Sequence, residues 1–131
     1  MGCFEESLVC YDEALKINSN NEKVLLSKSS ILVTLERYAE GLDCLNKVLK
    51  LNPSLPEALY NKGNVLGNLE RYYEAVCFFD EAIEKRPEYE SAFLAKAVTL
   101  SCLGKHEEAF NVLMEAYMLI KNGDSTRSMF R

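Results

Sequence analysis

PEALYNKGNVLGNLERYYEAVCFFDEAIEKRPEY, residues 56–89, decides how the rest of the chain is read. Its apolar residues do not alternate as a strand would require. Ala58, Leu59, Val65, Leu66 and Leu69 recur at helical intervals, and after Glu70-Arg71 the same spacing resumes at Val76, Phe79 and Ile83. Three- and four-residue steps put each set on one face of an α-helix. Arg86-Pro87 ends the second helix, because proline cannot continue it. The segment predicts two helices joined by a short polar link, folded against each other.

The joint itself repeats. LERY stands at Leu35–Tyr38 and again at Leu69–Tyr72, thirty-four residues apart. A fixed period between 20 and 50 residues points to a stacked repeat architecture, and blocks 22–55, 56–89 and 90–123 agree column by column, with 1–21 as the second half of an earlier block. After each joint comes a glutamate (Glu6, Glu40, Glu74, Glu108), then a small residue (Ser7, Gly41, Ala75, Ala109). Large apolar columns follow: Leu8, Leu42, Val76 and Phe110, then Tyr11, Leu45, Phe79 and Leu113, then Leu15, Leu49, Ile83 and Tyr117. Glutamate in a first helical turn suits the positive end of the helix dipole, worth ~0.3–1 kcal/mol at an exposed site. No catalytic role is needed to account for it.

The first halves keep the same period at Val24, Leu25, Ile31, Leu32 and Leu35, and at Ala92, Phe93, Leu100 and Leu103. Asn52-Pro53 closes one block as Arg86-Pro87 closes the next. Each block is therefore an antiparallel helix pair. Small residues on both helices, Ser29, Gly63 and Ala97 facing Gly41, Ala75 and Ala109, allow the axes to approach toward ~8 Å. Close packing is the expected compensation for the ~0.5–1 kcal/mol that a mid-helix glycine costs at Gly41 and Gly63.

Composition excludes other classes. The 131 residues are 48% apolar and 27% charged with no tryptophan, as in an ordinary folded domain. Fifteen basic against twenty acidic side chains give a net charge of −5, which argues against a nucleic-acid partner. No window approaches the ~18 apolar residues of a membrane span. Met1-Gly2-Cys3 resembles an acylated start, but Glu6 stands where the myristoylation pattern wants Ser or Thr. Five cysteines, Cys3, Cys10, Cys44, Cys77 and Cys102, form no CxxC pair and read as reduced core residues of a cytoplasmic protein. Phosphate loops, nucleophile elbows and metal-ligand spacings are absent from the sequence, so neither enzymatic activity nor a cofactor or metal is expected.

Block 56–89 resembles a tetratricopeptide repeat, whose 34-residue pattern keeps Gly, Ala, an aromatic, Ala and Pro where this chain has Gly63, Ala75, Phe79, Ala82 and Pro87. Blocks 22–55 and 90–123 match less completely, with Ser29 and Ala97 for Gly, Gly41 for Ala and Lys121 for the closing Pro. The resemblance covers residues 1 to about 121. It implies an all-α fold, a superhelical solenoid of seven main helices: an incomplete repeat at 1–21, repeats at 22–55, 56–89 and 90–121, and a tail at 122–131. In such a stack Leu66 or Phe79 cut to alanine is expected to cost ~2–5 kcal/mol.

The resemblance also implies a function by architecture: first helices line a concave groove that receives a peptide or partner helix. The positions that line it in the family hold Leu26, Ser30, Tyr60, Asn61, Asn64, Asn68, Leu94 and Val98 here. The middle repeat offers an exposed tyrosine beside three amides able to hydrogen-bond an extended backbone. One subclass binds the terminal carboxylate of heat-shock chaperones through lysine, asparagine and arginine. At the matching positions this chain has Leu26, Ser30, Asn61, Ser91 and Ala95, so the cations are missing and that ligand is not expected. The lysine column Lys28, Lys62 and Lys96 is read as methylenes laid over a helix junction rather than a cationic ladder. Lone His106, in the column of Phe4, Tyr38 and Tyr72, is assigned a packing role.

An alternative rests on the ends. A solenoid normally needs polar caps, and MGCF is the LERY joint with Met1 at the leucine position and Phe4 at the tyrosine position. Helix one of that repeat is absent. Phe4, Leu8 and Tyr11 are therefore expected to form an uncovered self-association edge, filled by another chain or by further protein. At the other end, the tail after Asn122-Gly123 carries Met129 and Phe130 and either folds back or leaves that face open.

Overall fold

A computed structural model describes the backbone of residues 2–129 and the side chains of residues 2–122; Met1, Phe130 and the Met129 side chain lie outside the described residues. Seven helices follow in order: α1 Gly2–Ile17, α2 Glu22–Thr34, α3 Tyr38–Leu51, α4 Pro56–Asn68, α5 Tyr72–Lys85, α6 Glu90–Cys102 and α7 His106–Met129. Each packs on the next, in antiparallel pairs α2 with α3, α4 with α5 and α6 with α7, while α1 packs on α2. Among the described residues α2, α4 and α6 touch in series, whereas α3, α5 and α7 do not touch one another. The first helices thus line the inner side of the stack.

Local chemistry explains the helix ends. Asn21 caps α2 by accepting a hydrogen bond from the Val24 amide at 3.3 Å. Pro56 opens α4, where its missing N–H costs nothing and its fixed φ suits the first turn. At the joints the Arg37 amide donates to the Leu32 carbonyl, Arg71 to Leu66 and Lys105 to Leu100, at 2.8, 2.8 and 2.9 Å. That hydrogen-bond pattern needs a left-handed residue just before the donor. Glu36 and Glu70 adopt it at φ 60° and 62°, and Gly104 fills the same column at φ 78°.

The glutamates after the joints do more than face a helix dipole. Glu40 accepts two hydrogen bonds from the Arg37 guanidinium at 2.9 and 2.7 Å, and Glu74 accepts the same pair from Arg71. Those bonds hold both carboxyls below their ordinary range. The arginine stands before the helix and the glutamate inside its first turn, so each pair locks a joint.

The core is continuous along the stack. Leu32, Leu45, Leu66 and Phe79 are fully buried, and Leu25, Val48, Phe93, Ala97, Ala109, Val112 and Ala116 extend the interior to both ends. Three sequence expectations are corrected here. Of the five cysteines only Cys44 is buried, its thiol pushed up by desolvation, while Cys3, Cys10, Cys77 and Cys102 are exposed. Cys10 shares a column with buried Cys44 and Val112, but among the described residues no helix covers that side of α1. His106 is exposed rather than packed. Helix α7 also runs on through Asn122-Gly123, where the sequence suggested a separate tail.

Candidate functional site

The cleft forms where the inner helices diverge. One part, about 620 Å³, lies between α4 and α6 and is lined by Tyr60, Asn64, Gly67, Asn68, Leu94 and Val98 among others, with Val33 from α2 at its edge. A second part, about 160 Å³, lies between α2 and α4 and is lined by Ser29, Ser30, Val33, Asn61 and Asn64. Val33 and Asn64 border both, which makes the two parts one groove crossing three helices.

Seven of the eight positions expected to face a ligand line this groove: Ser30, Tyr60, Asn61, Asn64, Asn68, Leu94 and Val98. Leu26 is the exception, since its side chain is half-buried against the cluster around Leu25 and Leu32. The hydroxyls of buried Ser29 and exposed Ser30 both donate to the Leu26 carbonyl. Val33, Gly67, Ser91, Ala95 and Cys102, which also stand at groove positions of the repeat, complete the lining together with Ser29, Tyr72, Phe79 and Thr99, which the sequence did not place there. Ser29 and Thr99 each neighbour a groove position on their own helix, so helical periodicity could have found them, whereas Tyr72 and Phe79 come from α5.

The expected exposed tyrosine is instead half-buried. The Tyr60 ring lies 6.0 Å from Phe79 and 5.1 Å from Tyr89, tilted against both. Such tilted contacts fix an aromatic ring in place, so Tyr60 forms a wall rather than a mobile finger. The apolar surface offered to solvent comes from α6, where Leu94 is 52% and Val98 64% exposed. Among the described residues, no hydrogen bond within the chain occupies the side-chain amides of Asn61, Asn64 or Asn68. Every lining residue of both parts is uncharged. The groove can therefore bury apolar side chains and hydrogen-bond a backbone, but its described lining offers no cation to a carboxylate or phosphate.

The lysine column is occupied elsewhere. Lys28 reaches Asp12 on α1 at 2.7 Å and Lys96 reaches Asp80 on α5 at 2.6 Å. Lys62 faces Asn46 in the equivalent column and sits instead over the Phe78 ring, 4.7 Å from its centroid. The Asp12 hydrogen bond, outweighing partial burial, raises the Lys28 pKa. Lys28 and Lys96 thus tie neighbouring repeats together across junctions, whereas Lys62 acts within its own repeat.

The N-terminal edge differs from expectation. Leu8 is 5% exposed, covered by α2 together with the Leu25 and Leu32 cluster, and Tyr11 is half-buried. Only Phe4 remains exposed of the three. The reason is geometric: Leu8 and Tyr11 point toward the following repeat, whose helix α2 packs on α1.

The tetratricopeptide repeat pattern matches residues 22–55 and 56–89, more than half of the chain. The chain belongs to the tetratricopeptide repeat family. Modules of this family bind other proteins and are typically non-catalytic. No curated protein matched the sequence. Among solved structures, this tetratricopeptide chain is similar to MamA MSR-1, with 25% identity and a TM-score of 0.79 over 93% of this chain and 70% of that one. It is also similar to MamA AMB-1, with 26% identity and a TM-score of 0.80 over 92% and 72%. MamA from Desulfovibrio magneticus RS-1 shares the fold at 19% identity, with a TM-score of 0.86 over 94% and 70%. Among the described residues of this tetratricopeptide module no helix is long and apolar enough to cross a membrane.

Proposed function

We propose that this chain is a non-enzymatic adaptor of the cytoplasm whose inner groove receives an extended, uncharged, partly apolar segment of a partner protein. The observation that supports this reading best is the lining itself. Leu94 and Val98 offer an apolar strip opposite the amides of Asn61, Asn64 and Asn68, with no charged residue between them. Asparagine both donates and accepts, so amides spaced along one helix suit a peptide backbone, which alternates the two. Apolar side chains of the same segment would rest on α6. A chaperone-type acidic tail would meet no cation there.

Peptide display against the immobilised chain tests the proposal directly. Selected peptides are expected to share a neutral segment with apolar side chains, and Val98→Glu is expected to weaken them at least tenfold by desolvating a charge. Asn64→Ala combined with Asn68→Ala should weaken the same peptides while leaving the fold intact. Tyr60 is a poor choice of variant, because its ring supports Phe79. Unchanged affinity in both the Val98 and the double asparagine variants would show that binding lies elsewhere.

A further inference from the structure

The side of α7 facing away from α6 carries Phe110, Leu113, Met114, Tyr117 and Met118, all exposed, in a stripe with helical spacing. At the earlier junctions the Phe110 column holds Leu8, Leu42 and Val76, which the next inner helix covers to differing degrees. Here no described element covers the stripe. With Phe110 at 62% and Tyr117 at 55% exposure, and the other three near half, the stripe presents roughly 500 Å² of apolar surface. Two such faces together approach the roughly 1,000 Å² at which specific association begins.

The occupant can be read from one column. At two of the three junctions covered by an inner helix the outer helix offers an aspartate to a lysine, Asp12 to Lys28 and Asp80 to Lys96, while the third has Asn46 in that column. In α7 that position is Met114. A further repeat helix would bring its lysine onto a thioether, without the carboxylate that two of the three covered junctions supply. A second α7, however, is well matched. Glu107 and Lys121 lie on the same stripe, each seven positions from Met114. About a two-fold axis at Met114, an antiparallel copy would set Glu107 opposite the other copy's Lys121 twice, and Phe110 opposite Met118 twice. An aspartate on that axis would face its own copy, whereas methionine packs against itself without repulsion.

We infer that two copies of this chain pair through α7, antiparallel about Met114, in an isologous dimer. The inner grooves contain no α7 residue and stay open in the pair. Nothing in this pairing depends on the groove reading.

Sedimentation equilibrium of the full chain over a concentration series tests the inference, with circular dichroism to confirm that each variant is folded. A reversible monomer–dimer equilibrium is expected, and Met114→Glu should leave a folded monomer. Glu107→Lys alone should weaken the dimer roughly tenfold, because two ion pairs are lost at once. Adding Lys121→Glu to it should restore the dimer. A monomer at every concentration overturns the inference and leaves α7 to a helix of another protein. Dimers that persist in Met114→Glu, species that grow beyond dimers, or a charge swap that fails to restore pairing each overturn it as well.

Discussion

Gly63 on α4 and Phe79 on α5 meet so closely that a Cβ on Gly63 would stand 2.6 Å from a carbon of the Phe79 ring. Phe79 is itself fully buried and carries Tyr60 on its other side. The glycine is thus a space that an aromatic fills, and it sets how near two helices of the central repeat lie.

Two glycines of the same helix should therefore respond in opposite directions to alanine. Gly63→Ala must displace a buried ring and is expected to lose about 1–2 kcal/mol, overpacking outweighing the gain in helix propensity. A Cβ on Gly67 would meet nothing within 4 Å. Gly67→Ala should stabilise by about 0.5–1 kcal/mol. Urea denaturation measures both, and equal effects of one sign would discard this account of α4 and α5.

Leu45 and Leu113 occupy one column of the repeat, yet Leu45 is 0% exposed and Leu113 43%. Truncating Leu45 to alanine should cost about 2–5 kcal/mol. The same change at Leu113 should cost only about 1–1.5 kcal/mol in dilute, monomeric protein, since nearly half of its surface already faces water. A large loss at Leu113 under those conditions would mean that some part of the chain covers α7.

At the joints, Glu36 and Glu70 hold a left-handed conformation that the third repeat assigns to Gly104. The conformation costs an L-residue about 1–2 kcal/mol, partly offset by the chain entropy that a glycine would lose. Replacing Glu36 or Glu70 by glycine should stabilise by up to about 1 kcal/mol, and Gly104→Ala should destabilise by a similar amount. No steric clash confuses the last measurement, because a Cβ there meets nothing within 4 Å. Chemical denaturation midpoints of the three variants provide the check.

The joint ion pairs make stability depend on acid. The Arg37 and Arg71 guanidinium groups hold Glu40 and Glu74 below their ordinary 4.5, so their contribution is complete above that value and is lost as pH falls through the lower folded one. Glu74→Gln should therefore lower the urea midpoint at pH 7 but make little difference once both states are protonated. Because the pair is at the surface, the effect at pH 7 should shrink in high salt. A midpoint difference that is the same at low and neutral pH would contradict the linkage.

Much of the groove could be read from the sequence because its positions follow from helical periodicity alone. Once the 34-residue register is set, Asn61, Asn64 and Asn68 must share one face of α4, and Leu94 and Val98 one face of α6. Side-chain reach was not legible in the same way. Tyr60 falls in a groove position, but only the placement of Phe79 and Tyr89 from two other elements turns its ring into a wall. The lysine column misled for a related reason. Its members look alike in sequence, and the partner on the neighbouring outer helix, Asp12, Asn46 or Asp80, decides whether each forms an ion pair or rests on a ring.

The sequence by itself determined seven helices, their joints and their pairing, since these depend on residues a few positions apart and on a period that the chain repeats. Tertiary structure alone decided which members of a column are buried. Leu8 and Phe110 are equivalent in the repeat, yet α2 closes over Leu8 while no described element closes over Phe110. Burial belongs to the neighbour as much as to the residue, and in a stack the neighbour is always the next element along.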